Sequence, residues 1–75
     1  MKEWITGRNP VMEVMQAKRR QVFRLLLASG VEEKGRIAEI LRAAASIKAP
    51  VERVARERLE GLGENPQGVA AEVGV

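Results

Sequence analysis

Seventy-five residues, 45% hydrophobic and 31% charged, make one small domain of globular proportions and exclude a disordered chain. The absence of cysteine excludes disulfides and thiolate metal sites. The absence of histidine removes the commonest metal ligand and the commonest base at neutral pH. The net charge of +3 is unevenly placed: residues 1–27 carry six cations against two glutamates, and the rest is nearly neutral. A polyanion is the natural partner of such a first third, although ordinary surface charge scatter gives a similar pattern.

No apolar stretch approaches the ~20 residues a membrane helix needs. Lys2 and Glu3 at the start are unlike a secretory leader. A cysteine-free chain fits a reducing compartment, and the expected location is cytoplasmic.

Trp4-Ile5-Thr6 is rich in strand formers, and Gly7 ends it. Asn9 suits an N-cap and Pro10 the first helical position, and Val11, Met12, Val14 and Met15 recur at helical spacing. A helix over residues 10–17 follows, with Lys18-Arg19-Arg20 at its C-terminal end, where cations complement the helix dipole. The run Val22-Phe23-Arg24-Leu25-Leu26-Leu27-Ala28 is almost continuously apolar, as expected of a strand covered on both faces and therefore central. Glu32-Glu33-Lys34 can open a second helix, whose apolar face is Ile37, Ile40, Leu41, Ala44 and Ile47 and which Ala49-Pro50 ends. Val51-Glu52-Arg53-Val54 reads as a short third strand. A short helix follows from Glu57 and ends at Gly61-Leu62-Gly63, and residues 68–73 form a last strand. Strands alternating with helices predict an α/β domain, a three-layer α/β/α sandwich with helices on both faces of a four-stranded sheet. The sequence closes on that last strand, as expected for one domain of a longer protein.

Catalytic chemistry finds little support. Thr6, Ser29 and Ser46 have no histidine to activate them. Glu32-Glu33 reads as a solvated helix start, and Gly61-Leu62-Gly63 lacks the third glycine and the strand-to-helix context of a dinucleotide loop. No metal site is expected. Nucleic-acid binding fits better. The amides of Asn9, Asn65 and Gln67 can bond base edges or 2'-hydroxyls, and Arg8, Lys18, Arg19 and Arg20 can neutralise phosphates. Trp4 and Phe23, the only aromatics, lie in predicted strands and read as core rather than as a stacking platform. The two polar loops, Thr6-Gly7-Arg8-Asn9-Pro10 and Asn65-Pro66-Gln67-Gly68, each abut a strand and are expected to meet at one sheet edge.

Ile5-Thr6-Gly7-Arg8-Asn9-Pro10-Val11 with Glu13, then Val22, Leu25 and Leu26, and finally Asn65, Gln67, Gly68 and Val69, resembles the N-terminal substrate-binding domain of SpoU-type RNA ribose 2'-O-methyltransferases over nearly the whole chain. The resemblance implies a mixed-sheet α/β/α domain similar to ribosomal proteins that bind kinked RNA. It also implies a following catalytic domain that uses S-adenosylmethionine and acts as a homodimer, while the domain itself is monomeric. The family's Gly-x-Asn-Pro loop falls on Gly7, Arg8, Asn9 and Pro10. Its Asn-His-Gln-Gly turn falls on Asn65, Pro66, Gln67 and Gly68, with Pro66 replacing histidine and removing a backbone N–H. The implied function is recognition of ribosomal or transfer RNA through Gly7, Arg8, Asn9, Lys18, Arg19, Arg20, Asn65, Gln67 and Gly68. The competing expectation is a non-catalytic interaction or regulatory domain that packs on the methyltransferase domain or another partner, marked by exposed apolar surface around Val11, Met12 or Val14.

Overall fold

The computed structural model describes all 75 residues. The elements run β1 (Lys2–Thr6), α1 (Arg8–Ala17), β2 (Val22–Ala28), α2 (Arg36–Ser46), β3 (Val51–Val54), α3 (Arg56–Glu60) and β4 (Val69–Gly74). They build one four-stranded sheet in the order β1-β4-β2-β3. β4 is antiparallel to both β1 and β2, and β3 is parallel to β2. The sheet is therefore mixed, with β1, β2 and β3 pointing one way and β4 the other.

Apolar spacing decides which surface each element buries. Val11, Met12 and Met15 of α1 and Ile37, Ile40 and Ala44 of α2 pack on one sheet face against Leu25, Leu27, Val69, Ala71 and Val73. The alternate residues Leu26, Ala28 and Ala70 point to the other face, where Leu59 of α3 covers them, joined by Trp4, Val54 and Leu62. This is the expected three-layer sandwich. Leu25, Leu26, Leu27 and Ala28 are fully buried, as a central strand requires. β3 lies at the edge and carries charge at Glu52 and Arg53, which blunts it against pairing with another chain. Val11 is fully buried and Met12 nearly so, so the apolar docking surface expected around Val11, Met12 and Val14 is largely core.

α3 covers only part of its face. Beyond it, Arg24 of β2 bridges Glu72 of β4 (3.2 Å) and Glu52 of β3 (3.3 Å), and its guanidinium lies 5.3 Å from the centre of the Trp4 ring on β1. One side chain thus ties four strands together. Desolvation alone would lower the Arg24 pKa, but the hydrogen bonds and charges of Glu52 and Glu72 outweigh it and hold the group above its usual value.

Three local expectations are corrected. Residues 32–34 do not open α2, which begins at Arg36 after Gly35 (φ 61°). Glu33 is instead drawn to Arg53 (2.5 Å), and Glu32 pairs with Lys34 (3.0 Å). Ile47 does not extend the buried face of α2; it is the C-cap residue and is 38% exposed. The α2 end is a Schellman motif, with the Ala49 N–H donating to the Ala44 carbonyl and the Lys48 N–H to the Ala45 carbonyl. Finally, Asn9 is not the N-cap of α1. The helix starts two residues earlier than expected, at Arg8, with Gly7 at the cap position and no local side chain capping it.

Candidate nucleic-acid interface

Because β1, β2 and β3 are parallel, their carboxyl ends share one rim with the starts of α1 and α3 and the entry to β4. The carboxyl edge of the strands is where open α/β sheets bind ligands.

Gly7 turns the chain from β1 into α1 at φ 98°, ψ 150°, a region open essentially only to glycine. Its N–H donates to the Val69 carbonyl (3.2 Å), and its carbonyl accepts the Val11 N–H (3.0 Å). A β-carbon here would lie 3.4 Å from Pro10 Cδ and 3.5 Å from the Asn65 carbonyl oxygen. The β1–α1 loop and the loop before β4 are therefore in direct contact.

The second loop is a tight turn. The Val69 N–H donates to the Pro66 carbonyl (3.1 Å), with Gln67 at φ 54° and Gly68 at φ 84° between them. Positive φ at both central positions is the pattern of a type I′ turn. Asn65 also has positive φ, at 45°. A β-carbon on Gly68 would stand 2.7 Å from Val31 Cγ2, so only glycine fits beside the β2–α2 loop.

Hydrogen bonds join the two loops. The Arg8 N–H, left without a helical partner at the start of α1, donates to Gln67 Oε1 (2.9 Å), and Arg8 Nε donates to the Gln67 carbonyl (3.2 Å). The helix cap expected from Asn9 thus comes from Gln67, 59 positions along the chain from Arg8. Thr6 Oγ1 donates to the Glu64 carbonyl (3.1 Å), and Gly63 packs so closely that a β-carbon there would be 2.6 Å from Thr6 Oγ1.

Beside this junction lies a cleft of about 320 Å³, lined by Arg8, Val31, Arg56, Gln67 and Gly68. Neither Arg8 nor Arg56 forms an ion pair. The lip is held by Arg53, which donates to the carbonyls of Ala28 and Val31 (both 3.0 Å) and pairs with Glu33. Arg56 was not among the expected contacts. Its signal in the sequence is its place two residues after β3, which puts it on the same rim as the residues after β1.

The structure brings together Gly7, Arg8, Asn9, Asn65, Gln67 and Gly68. It does not bring Lys18, Arg19 and Arg20 to them. Those residues follow α1, whose ten residues span about 15 Å. Arg20 Nε donates to the Gly74 carbonyl (2.6 Å) at the exit of β4, and its guanidinium pairs with Glu3 near the start of β1. Both are at the end of the sheet opposite the rim.

Comparisons with known proteins agree with this architecture. One solved structure that matches is a protein of unknown function from Bacillus halodurans. It is 22% identical, with a TM-score of 0.68 over 92% of this chain and 69% of the other, a likeness of fold. No curated protein matches the chain significantly. The family model for RNA 2'-O ribose methyltransferase substrate binding matches residues 4–74, a span that takes in both loops of the rim, β1 from Trp4 onward and every later strand and helix. On that match, the chain belongs to the substrate-binding domain family of the RNA 2'-O ribose methyltransferases.

Proposed function

We propose that the rim formed by the two clasped loops binds RNA, and that the chain is the recognition module through which an RNA ribose 2'-O-methyltransferase engages ribosomal or transfer RNA. The observation carrying this reading is the cleft where unpaired Arg8 and Arg56 flank the junction of the loops. Gln67 spends both carbonyl oxygens on Arg8, so its side-chain amide has its two N–H donors left to offer. With two guanidinium groups beside it, the cleft is rich in donors. Phosphate oxygens, base acceptors and 2'-hydroxyls complement such a surface. Asn9 and Asn65 are exposed on the same rim and add two further amides.

In this reading the 75 residues contribute recognition. Thr6 and Ser46 hydroxyls already bond backbone carbonyls and serve the fold. Methyl transfer from S-adenosylmethionine belongs to a catalytic domain elsewhere in the parent protein, a cytoplasmic homodimer. The domain's task is to hold the RNA while that centre reaches the ribose.

The test is fluorescence anisotropy of the chain with labelled structured ribosomal and transfer RNA fragments across a salt series. Three to five phosphate contacts give a slope of log affinity against log salt of about −2 to −5. Saturable, salt-sensitive binding weakened by Arg8→Ala with Arg56→Ala supports the reading. Binding unchanged by that pair of substitutions contradicts this placement of the site.

A further inference from the structure

At the pole opposite the rim, α1 and α2 end side by side above the start of β2. Between them lies a second cleft, of about 490 Å³, lined by Val14, Met15, Val22, Phe23, Ile47 and Pro50, with Gln21 and the cations Lys18, Arg20 and Lys48. No acidic residue lines it. Ile47 is exposed on it, although it is a large apolar residue at a helix end. Arg20 is neutralised by Glu3, whereas Lys18, Lys48 and the neighbouring Arg19 have no ion-pair partner.

The two free lysines occupy unusual backbone positions. Lys18 caps α1 at φ 55°, and Lys48 follows the α2 cap at φ 59°. Both are left-handed positions at helix ends, where glycine is the residue of lowest cost. In each case a lysine stands there, and both flank the same cleft.

We propose that this cleft is a docking site for a polypeptide segment that combines acidic and large apolar side chains. Its walls supply both complements: free cations for carboxylates at the mouth, and apolar side chains for a buried anchor within. A nucleic acid would satisfy the cations and leave the apolar lining uncovered, and the ring of Phe23 is already occupied by Lys2, whose Nζ sits 4.4 Å from its centre. The volume suits one or two large side chains, the scale on which interface anchors work. The inference rests on a different surface from the RNA rim and stands independently of it.

The test is an NMR titration of the isotopically labelled chain with three synthetic peptides of equal length. One alternates glutamate with leucine and phenylalanine, one replaces the apolar residues by serine, and one replaces glutamate by lysine. The expected result is saturable binding of the first alone, with shifts at Val14, Lys18, Phe23, Ile47 and Lys48 and none at Gly7 or Gln67. The variant Lys18→Gly with Lys48→Gly removes both charges while placing glycine where the backbone favours it, so its fold is retained. It should weaken that peptide up to about tenfold, since each exposed charge pair contributes modestly and acts mainly on association. Equal binding of the first two peptides, no binding of the first, or full affinity in the glycine variant overturns the proposal. So does loss of RNA affinity in that variant, which assigns the cleft to RNA, or concentration-dependent dimerisation with shifts at the same residues, which assigns it to a second copy of the chain.

Discussion

Gln67 accepts the Arg8 backbone N–H on its side-chain oxygen at 2.9 Å and the Arg8 Nε on its backbone carbonyl at 3.2 Å. The pair forms a reciprocal clasp between the start of α1 and the turn before β4. It explains why a glutamine stands at φ 54°, where a type I′ turn favours glycine or asparagine. The backbone strain is offset by capping a helix whose own sequence offers no side-chain cap.

Substitutions at Gln67 separate stability from recognition. Gln67→Ala leaves the Arg8 N–H without its cap and costs about 1 kcal/mol of unfolding free energy, measurable by urea denaturation. Gln67→Glu keeps the acceptor and places a negative charge at the start of α1, where it is favourable. That variant is expected to match the parent in stability and to bind RNA more weakly, because it exchanges two donors for charge that repels phosphate.

Gly7→Ala forces a β-carbon into a glycine-only region of backbone space and against Pro10 and the Asn65 carbonyl. The expected cost is about 1–3 kcal/mol. Amide exchange should accelerate around residues 63–69 as well as at the substituted site, since Gly7 bonds Val69 directly.

The contact between Gly63 and Thr6 predicts non-additive behaviour. Gly63→Ala alone places a methyl 2.6 Å from Thr6 Oγ1 and 3.0 Å from Thr6 Cγ2, and the loop must shift. Thr6→Ala removes both opposing atoms, so the double substitution should recover part of the stability lost in the first. A coupling energy of about 0.5 kcal/mol or more in a double-mutant cycle is expected, and strict additivity contradicts the contact.

Arg8 and Arg56 should act as phosphate neutralisers. Their joint replacement by alanine is expected to flatten the salt slope of RNA binding by about 2, roughly one for each contact removed. Replacing Lys18 and Arg19 instead is expected to leave the slope close to that of the parent, since both lie at the other pole.

Much of this architecture is legible in the sequence because it depends on local pattern. The apolar run from Val22 to Ala28 announces a central strand, and the spacing of Ile37, Ile40 and Ala44 announces the buried face of α2. What local pattern misses is set by distant partners. Asn9 carries the signature of a helix cap, but Gln67 reaches the helix start first and moves it back to Arg8. Glu33 has the composition of a helix start, but Arg53 on β3 holds it in a loop. Lys18, Arg19 and Arg20 are close to Arg8 in sequence, yet one helix carries them to the opposite pole. Arg56 is distant in sequence and joins Arg8 because parallel strands deliver both to one edge. The convergence of the two polar loops was readable, because each adjoins a strand whose end defines the rim.

RNA recognition by the rim is tested most directly by NMR titration of the labelled chain with a structured fragment of ribosomal or transfer RNA. Chemical-shift changes are expected at Gly7, Arg8, Asn9, Arg56, Gln67 and Gly68, saturating together with a single dissociation constant. Changes confined to Lys18, Arg19 and Lys48 with the rim silent would contradict that recognition.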